Sequence, residues 1–341
     1  MKAAIIKEPG VVEMADVPDL LSPSAYQCLC RNIHASTCSG TDRKLIHDRT
    51  PWGNAYPAVL GHENVAEVIE VGSKVRNFSV GDTVLRPVYV YPGEERNGLH
   101  GAFGGFTESG IITDTEAMKA DGLADFNPYA NFQVKIPGAW KNDPSAVMFI
   151  TLKETFSWLQ KLAPLYGKRV GVIGAGAVGL FYTRLASLFC AREVTVLDVN
   201  PARFERARKV GADRCVNPGA GERPEQPFDL LIDAAGILSK IGDFIPLVAT
   251  GGTFAVYGID STFTANFEGF GSGIYFAFHF SDEGNQLVHD TCVGMVEKGL
   301  VDLRDFHTSI MQFDDIPLAY ERIDAGKELK VVFSFKENGP C

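Results

Sequence analysis

One short glycine-rich stretch restricts the fold of this chain more than any other feature. Gly174, Gly176 and Gly179 follow an apolar run over Arg169–Ile173 and open a helical pattern over Ala177–Leu188. With this spacing, the first glycine permits a tight turn, the second lets the backbone approach a pyrophosphate, and the third lets helix and strand pack closely. The N–H groups at the start of the helix attract phosphates. The stretch therefore predicts a dinucleotide site of the Rossmann type in an α/β domain.

An acidic residue follows at the spacing that such a site requires. Asp198 ends the next apolar run and lies 19 residues after Gly179. A carboxylate there accepts hydrogen bonds from the ribose hydroxyls of NAD and repels the extra phosphate of NADP. The alternative is a glycine-rich turn that binds nothing. Beside the three glycines, the candidate cofactor-binding residues are Ala177, Val178, Asp198 and Arg203, although Arg203 also fits an exposed charge on the following helix.

The pattern of strands and helices changes twice along the chain. The first 140 residues favour short strands with Gly/Pro turns, which suggests a small irregular barrel. From Pro144 strands and helices alternate, which predicts a doubly wound parallel sheet. After about residue 300 the first pattern returns. The predicted domains are a β-rich domain of residues 1–143 and 300–341 and a Rossmann domain of residues 144–299. Strand and helix candidates outside the glycine-rich stretch include Lys2–Lys7, Gln27–Ile33, Val65–Val71, Thr83–Tyr91, residues 145–163, Glu193–Leu197, Pro201–Val210, Phe228–Ile232, Phe254–Tyr257, Asp315–Ala325 and Val331–Phe335.

Charge and composition exclude several classes of function. The 341 residues carry a net charge of −10, so there is no basic excess to neutralise nucleic-acid phosphates. No apolar run reaches the roughly 18 residues that cross a membrane, and Lys7 and Glu8 end the first apolar run too early for a secretion signal. The seven cysteines are odd in number, which favours reduced thiols. We therefore expect a cytoplasmic protein that acts on a small molecule, without nucleic-acid or membrane partners.

Three residues of the N-terminal part have side chains that suit zinc. Cys38 offers a thiolate, and His62 and Glu63 offer an imidazole and a carboxylate. A catalytic zinc needs three protein ligands and one open position, and these residue types are its usual ligands. Taken singly, a histidine or a cysteine is more often structural than metal-binding. The residues therefore indicate a zinc site only in combination with other motifs.

Taken together, motifs from nearly the whole chain resemble those of the zinc-dependent medium-chain dehydrogenase/reductase family, which includes alcohol, polyol and sugar dehydrogenases. The motifs are Gly61-His62-Glu63, the series Val71-Gly72, Val75, Phe78, Gly81-Asp82 and Val84, Gly104-Gly105-Phe106-Thr107-Glu108, the glycine motif with Asp198, Asp233-Ala234-Ala235-Gly236, Ile316-Pro317-Leu318-Ala319-Tyr320, and Gly326-Lys327 with Lys330-Val331-Val332. The resemblance implies a chaperonin-10-like catalytic domain, a Rossmann domain and an active site in the cleft between them.

The resemblance also implies roles for individual residues. Cys38 and His62 would be zinc ligands, and Glu63 would be a ligand or a close partner of the ligands. Zinc would polarise the substrate oxygen, and a hydride would pass between the carbinol carbon and NAD. Thr41 matches the family hydroxyl that relays the substrate proton.

The sequence departs from the family pattern at three positions and lacks the cysteines of a structural zinc site. An extra residue precedes Thr41, so that an ungapped match places Ser39 rather than Cys38 at the ligand position. The relay histidine has no clear counterpart, and Arg43, Lys44 and His47 lie nearby. The last family ligand is replaced by Phe149 or Ile150. Glu154 one helical turn later is a displaced fourth ligand, part of the active-site wall or an exposed helix carboxylate. No cysteine lies between Cys38 and Cys190, so we expect one catalytic zinc and no structural zinc.

The resemblance implies an NAD-dependent oxidation of a secondary alcohol to a ketone. A polyol, cyclitol or sugar is the expected substrate, because Gly61-His62-Glu63 and Gly40-Thr41-Asp42-Arg43 look like the corresponding segments of polyol and sugar dehydrogenases. One alternative is a zinc-free NAD(P)H-dependent quinone or alkene reductase, against which Gly61-His62-Glu63 argues. The other is a non-catalytic nucleotide-binding relative. The aromatic stretch Gly269–Phe280 lies where relatives pair their Rossmann domains, which suggests a homodimer or homotetramer, although an aromatic core strand would have the same composition.

Overall fold

The chain divides into two compact units. The computed structural model describes residues 1–38, 40–50, 53–162, 164–236, 241–257, 273–278 and 286–336. The first unit comprises Met1–Ile150 and His307–Cys341, and the second comprises Thr151–Phe306. The chain therefore leaves the first unit once and later returns to it.

The first unit is built mainly from short strands. Before the chain leaves it, the strands are β1 (Lys2–Glu8), β2 (Val11–Asp16), β3 (Gln27–Ser36), β4 (Ala58–Val59), β5 (Asn64–Val71), β6 (Thr83–Leu85), β7 (Glu95–Arg96), β8 (Leu99–Gly101), β9 (Ser109–Thr113) and β10 (Lys135–Ile136). The helices of this part are α1 (Thr41–Ile46) and α2 (Thr115–Ala120). Helix α3 (Phe149–Leu159) follows and is buried along its length except at Glu154, which is half-buried.

The second unit contains an all-parallel sheet of six strands. They are β11 (Arg169–Ile173), β12 (Glu193–Leu197), β13 (Arg214–Val216), β14 (Phe228–Asp233), β15 (Val248–Val256) and β16 (Tyr275–Phe278). Their order is β13-β12-β11-β14-β15-β16. The helices are α4 (Ala177–Leu188), α5 (Phe204–Lys209), α6 (Ile241–Phe244) and α7 (His289–Glu297). The predicted parallel α/β sheet is confirmed, and its central strands are apolar on both faces as expected for strands between helices.

The returning segment completes the first unit. It contributes β17 (Ser309–Gln312), α8 (Ile316–Asp324) and β18 (Val331–Ser334). One sheet has the order β2-β1-β4-β8-β7, and the other has the order β10-β6-β5-β3-β18-β17, with β9 also paired to β3. Strand β18 pairs antiparallel with β3, with Val332 opposite Ser36. Apolar residues of α1, α8 and β18 share one core, including Leu45, Ile316 and Phe333.

One predicted strand is wrong in its extent. Thr83–Tyr91 was expected to be a single strand, but β6 ends at Leu85. Arg86 adopts a left-handed conformation with φ 61°, and Pro87 after it lacks the N–H that a ladder needs. The side chains of Tyr89 and Tyr91 are nevertheless buried in the core.

Two other findings bear on earlier expectations. Strand β15 begins at Val248, six residues before the predicted strand. The glycines Gly251 and Gly252 are typical of a turn, so the sequence does not indicate this first part of the strand. No helix among the described residues combines the length and apolarity that a membrane crossing requires.

Candidate active site

The register of two neighbouring strands brings the three candidate metal ligands together. Cys38 lies two residues after β3, and His62 and Glu63 directly precede β5. Strands β3 and β5 are antiparallel neighbours, and the Ser36 N–H donates to the Glu63 carbonyl at 2.8 Å. One potential ligand atom from each of Cys38, His62 and Glu63 lies within 4.8 Å of the other two.

Asp42, in the first turn of α1, links two of these residues. Its Oδ2 accepts a hydrogen bond from the Cys38 N–H at 2.7 Å, and its Oδ1 lies 3.4 Å from His62 Nδ1. Within the described part of the chain, neither His62 Nδ1 nor Asp42 Oδ1 makes a hydrogen bond of good geometry. A carboxylate beside one nitrogen of a histidine orients the ring and leaves the other nitrogen for a metal.

Glu63 is held by a buried ion pair. Its Oε2 accepts from Lys330 Nζ and from Ser36 Oγ, each at 2.5 Å. Glu63 is 1% exposed and Lys330 is 3% exposed, so both charges are shielded from water. Lys330 directly precedes β18, whose pairing with β3 brings the lysine to the glutamate. The carboxylate therefore has a single fixed position beside Cys38 and His62.

The pKa values at this site report an excess of negative charge. Burial lowers the pKa of His62, but the Cys38 thiolate and the Asp42 carboxylate outweigh it and raise that pKa well above its usual value. Burial likewise lowers the pKa of Lys330, while Glu63 and Cys38 raise it overall. Three acidic groups face one lysine here. A divalent cation would offset that excess, and the sulfur, nitrogen and oxygen donors suit zinc, so the residues fit a zinc ion.

Aromatic side chains enclose the histidine. The Phe103 ring lies 4.7 Å from the His62 ring, and the Tyr129 hydroxyl donates to the His62 carbonyl at 3.4 Å. Gly61 has φ 97°, and a Cβ atom there would lie 2.0 Å from the Phe106 ring. The glycine before His62 is therefore required both by its backbone conformation and by close packing.

In the second unit, the glycine loop between β11 and α4 has the geometry of a phosphate-binding turn. Gly174 has φ 95°, and Gly176 is the N-cap of α4. A Cβ atom on Gly179 would lie 1.8 Å from the Gly174 carbonyl oxygen, so only glycine permits this contact. A Cβ atom on Gly176 would meet nothing within 4 Å, which leaves open space above the loop. The residues thus fit a dinucleotide pyrophosphate.

Asp198 is bonded to this loop as well as to its own turn. Its Oδ2 accepts from the Ala175 N–H at 2.7 Å and lies 3.2 Å from Arg203 Nη1. Its Oδ1 accepts from the Asn200 N–H at 2.8 Å. A carboxylate has about four acceptor positions, so Asp198 retains capacity for a ribose hydroxyl.

Comparison with known proteins agrees with this arrangement. Residues 28–124 match the family model of the alcohol dehydrogenase GroES-like domain, and residues 177–273 match that of the zinc-binding dehydrogenase. A probable zinc-binding alcohol dehydrogenase of Mycobacterium tuberculosis is 30% identical over 76% of this chain and 68% of its own length. The chain belongs to the zinc-dependent medium-chain dehydrogenase family.

Two further proteins are similar to this chain over nearly its whole length. The L-threonine 3-dehydrogenase of Aeromonas salmonicida is 28% identical over 94% of this chain and 95% of its own. The solved alcohol dehydrogenase of Thermus sp. ATN1 has the same fold, with a TM-score of 0.79, 22% identity and coverage of 98% and 100% of the two chains. The predicted family and the predicted pair of fold types are thereby confirmed.

Beside the metal cluster of Cys38, His62 and Glu63, three other positions considered for the site lie at the start of α1, on α3 and outside the described residues. Thr41 is half-buried and is the first residue of α1, beside Asp42. Glu154 lies on α3 in the second unit, and its role as a ligand stays a prediction. Ser39, the alternative to Cys38, lies outside the described residues.

The candidates for the proton relay face another helix. Arg43 Nε lies 2.6 Å from Asp324 Oδ1 on α8, and His47 Nε2 lies 3.7 Å from Asp324 Oδ2. Through these contacts, Arg43 and His47 connect the α1 segment to α8.

Sequence reasoning missed four residues that support the site of the dehydrogenase. They are Ser36, Asp42, Tyr320 and Lys330, of which Tyr320 donates to Asp42 Oδ2 at 2.6 Å. Tyr320 and Lys330 lie within family motifs, which was a signal that they matter. Both residues are more than 260 positions from their partners in the chain, so the sequence did not indicate what they contact.

Proposed function

We propose that this dehydrogenase is a zinc- and NAD-dependent enzyme that interconverts a secondary alcohol and a ketone, with a polyol, cyclitol or sugar as substrate. The observation that carries the proposal is the convergence of Cys38, His62 and Glu63, with Asp42 behind the histidine. Sulfur, nitrogen and oxygen donors in one cluster, supported by a carboxylate, are typical of catalytic zinc sites. The preference for polyols or sugars rests on the family resemblance.

Each residue of the cluster has a distinct task in this proposal. When bound, zinc supplies Lewis acidity and the nicotinamide accepts a hydride. Cys38 and His62 hold the metal, and Asp42 keeps the His62 ring in one orientation through Nδ1. Lys330 keeps Glu63 beside the metal position, where the carboxylate is a ligand or a close partner of the ligands. The Thr41 hydroxyl carries the substrate proton.

The cofactor preference follows from Asp198. In our proposal its carboxylate accepts a ribose hydroxyl and repels the 2′-phosphate of NADP. The nearby Arg203 guanidinium weakens this repulsion, since it lies 3.2 Å from the same carboxylate. We therefore expect the protein to bind NAD more tightly than NADP.

Asp198→Ala should bring the Kd for NADP closer to the Kd for NAD, because the Arg203 guanidinium can then face the 2′-phosphate. Calorimetric titration with each nucleotide measures the two Kd values.

A second substrate class has support from one observation. Relatives named L-threonine 3-dehydrogenase match this chain at about 28% identity over nearly its full length. An amino acid with a secondary hydroxyl is therefore the second candidate. It presents the same carbinol chemistry to the metal cluster and differs only in the charged groups beside it.

We further propose a homodimer or homotetramer in a reducing cytoplasm. Tyr275 and Phe278 on β16 are 67% and 41% exposed. In the strand order of the described sheet β16 comes last, after β15, and exposed aromatic side chains on such a strand favour contact with a second copy. The six described cysteines are free thiols, which suits a reducing compartment. Sedimentation analysis at several protein concentrations tests the assembly.

The first experiment measures zinc per chain by elemental analysis in protein purified without added metal. We expect about one zinc per chain, together with oxidation of members of a panel of polyols, sugars and L-threonine by NAD. Cys38→Ala should lose both zinc and activity, whereas Cys215→Ala, at a half-buried cysteine on β13, should keep both. Absence of zinc in the wild type, or full activity of Cys38→Ala, would overturn the proposal.

A further inference from the structure

A tyrosine from the returning segment reaches the carboxylate behind the metal cluster. Tyr320 on α8 donates its hydroxyl hydrogen to Asp42 Oδ2 at 2.6 Å. Tyr320 is 4% exposed and Asp42 is 0% exposed, so water cannot replace this hydrogen bond. The two residues are 278 positions apart in the chain. The contact is therefore a specific product of the fold.

The same carboxylate contacts both candidate ligand segments. Asp42 Oδ2 accepts from the Cys38 N–H and from Tyr320, while Oδ1 faces His62 Nδ1. The Tyr320 hydrogen bond restricts rotation of the carboxylate, which keeps one oxygen on the Cys38 backbone and the other on the His62 ring. Without it, a buried Asp42 would turn toward whichever donor remained.

We propose that Tyr320 is a positioning residue of the metal site, which holds Asp42 where that carboxylate fixes Cys38 and His62 relative to each other. This inference rests on the proposed function, because it concerns the zinc affinity of the same cluster. Partners of metal ligands tune affinity by fixing ligand orientation. Burial and the charge of Asp42 raise the pKa of Tyr320 well above its usual value, so the hydroxyl remains a donor.

The chain offers a matched control for this contact. The exposed pair between Arg43 and Asp324 also joins α1 to α8, at 2.6 Å, but it does not involve Asp42. Asp324→Asn therefore removes a link between the same two helices and leaves the hydrogen bond of Tyr320 intact. Tyr320→Phe removes only the hydroxyl and keeps the ring within the core shared by α1, α8 and β18.

The experiment measures zinc affinity by competition with a chromophoric chelator, and the absorption spectrum of the cobalt-substituted protein. We expect Tyr320→Phe to bind zinc roughly 10- to 100-fold more weakly than the wild type and to shift the cobalt bands. Asp324→Asn should stay within about twofold of the wild type, because exposed pairs contribute little. A double-mutant cycle with Asp42→Asn should show that the two effects are not additive.

The outcomes separate this inference from the proposed function. If the wild type binds zinc and Tyr320→Phe binds it equally well with the same cobalt spectrum, Tyr320 serves packing alone. Additive effects of Tyr320→Phe and Asp42→Asn would likewise show that the tyrosine does not act through Asp42. If the wild type binds neither metal, both the positioning role and the zinc-dependent function are wrong. Far-ultraviolet circular dichroism checks that each variant folds. If Tyr320→Phe does not fold, the cobalt spectrum of Asp42→Asn tests whether the carboxylate that Tyr320 holds positions the ligands.

Discussion

At the scale of single residues, Lys330 holds the carboxylate of the candidate metal cluster in place. Its ammonium group is buried 2.5 Å from a Glu63 oxygen. A buried ion pair adds little net stability, because both charges lose water when they are buried. Removal of one partner is costly, since it leaves the other charge buried without compensation.

Lys330→Met should therefore lower the free energy of unfolding of the zinc-free protein by roughly 3–5 kcal/mol. The double variant Lys330→Met/Glu63→Gln should regain much of this loss, because the charge of Glu63 is then removed together with the lysine that compensates it. Urea unfolding followed by fluorescence measures both. A loss below about 1 kcal/mol in the single variant would contradict the buried-pair account.

The buried residue His34 on β3 makes the free energy of unfolding depend on pH in the acidic range. Burial lowers its pKa from 6.5 to about 4, against opposing effects of Lys141 and Asp143. The folded state therefore prefers the neutral ring. Its contribution to stability is complete above pH 6.5 and is lost as the pH falls through about 4.

We expect this residue to account for a loss of about 3 kcal/mol between pH 6.5 and 4, since one pKa unit corresponds to about 1.4 kcal/mol. His34→Gln should flatten the pH dependence of unfolding in that interval, measured by urea titration of the zinc-free protein at each pH. His100→Gln, at a half-exposed position on β8, should follow the wild type. An unchanged slope in His34→Gln would show that other groups govern the acid response.

Residue types predicted the metal cluster, but they did not predict what surrounds it. Cys38, His62 and Glu63 were chosen for their donor atoms and their family motif, and the fold brings them within 4.8 Å of one another. Tyr320 and Lys330 meet this cluster only through the pairing of β18 with β3 and the packing of α8. Contacts of such sequence separation leave no periodic signal in the sequence.

At the scale of elements, β11 and α4 depend on the absence of a side chain at one position. Gly179 faces the Gly174 carbonyl oxygen so closely that an added Cβ would lie 1.8 Å from it. The obstructing atom belongs to the backbone, so a rotamer change cannot relieve the clash. The helix would have to move away from the strand, and the glycine loop would move with it.

Gly179→Ala should therefore destabilise the protein by about 1–3 kcal/mol and weaken NAD binding at least tenfold. Gly294→Ala on α7 is the matched control, because its Cβ would meet nothing within 4 Å. It should stabilise by roughly 0.5–1 kcal/mol through helix propensity. Denaturant unfolding and calorimetric titration with NAD measure both variants, and equal NAD affinity in the two would refute this role of Gly179.

Elements whose signals are local were predicted well. The observed bounds of β11 and α4 agree with the predicted Arg169–Ile173 and Ala177–Leu188, because apolar periodicity and the glycine turn lie within the segment itself. The predicted strand after Thr83 was too long, since its end depends on the conformation of Arg86, φ 61°. The amino-acid composition does not indicate that an arginine adopts a left-handed backbone conformation. Hydrogen bonds of the Arg86 backbone with Asn64 and Gln133 hold it there.

At the scale of the whole molecule, the first unit needs residues from both sides of the second. Strand β18 lies between β3 and β17 in its sheet, and its neighbour Lys330 is bonded to Glu63 of the candidate metal cluster. A chain that ends after Phe306 should therefore bind no zinc, because β3 loses a central neighbour and Glu63 loses its cation. The second unit should still bind NAD, since all six strands of its sheet remain.

Zinc analysis and calorimetric titration with NAD test this truncation together. Zinc bound at one per chain in the shortened protein would show that the returning segment is dispensable for the site. Loss of NAD binding as well would show that the second unit is not an independent folding unit.

The route of the chain also sets an order of events during synthesis. The ribosome makes Cys38, His62 and Glu63 early, then the whole of the second unit, and only afterwards Tyr320 and Lys330. Domains tend to fold as units while the chain is still growing. We therefore expect the second unit to fold first, while the thiol of Cys38 and the imidazole of His62 still lack the residues that hold them in place. In the proposed enzyme zinc would then bind late, after the last strand of the sheet has been made.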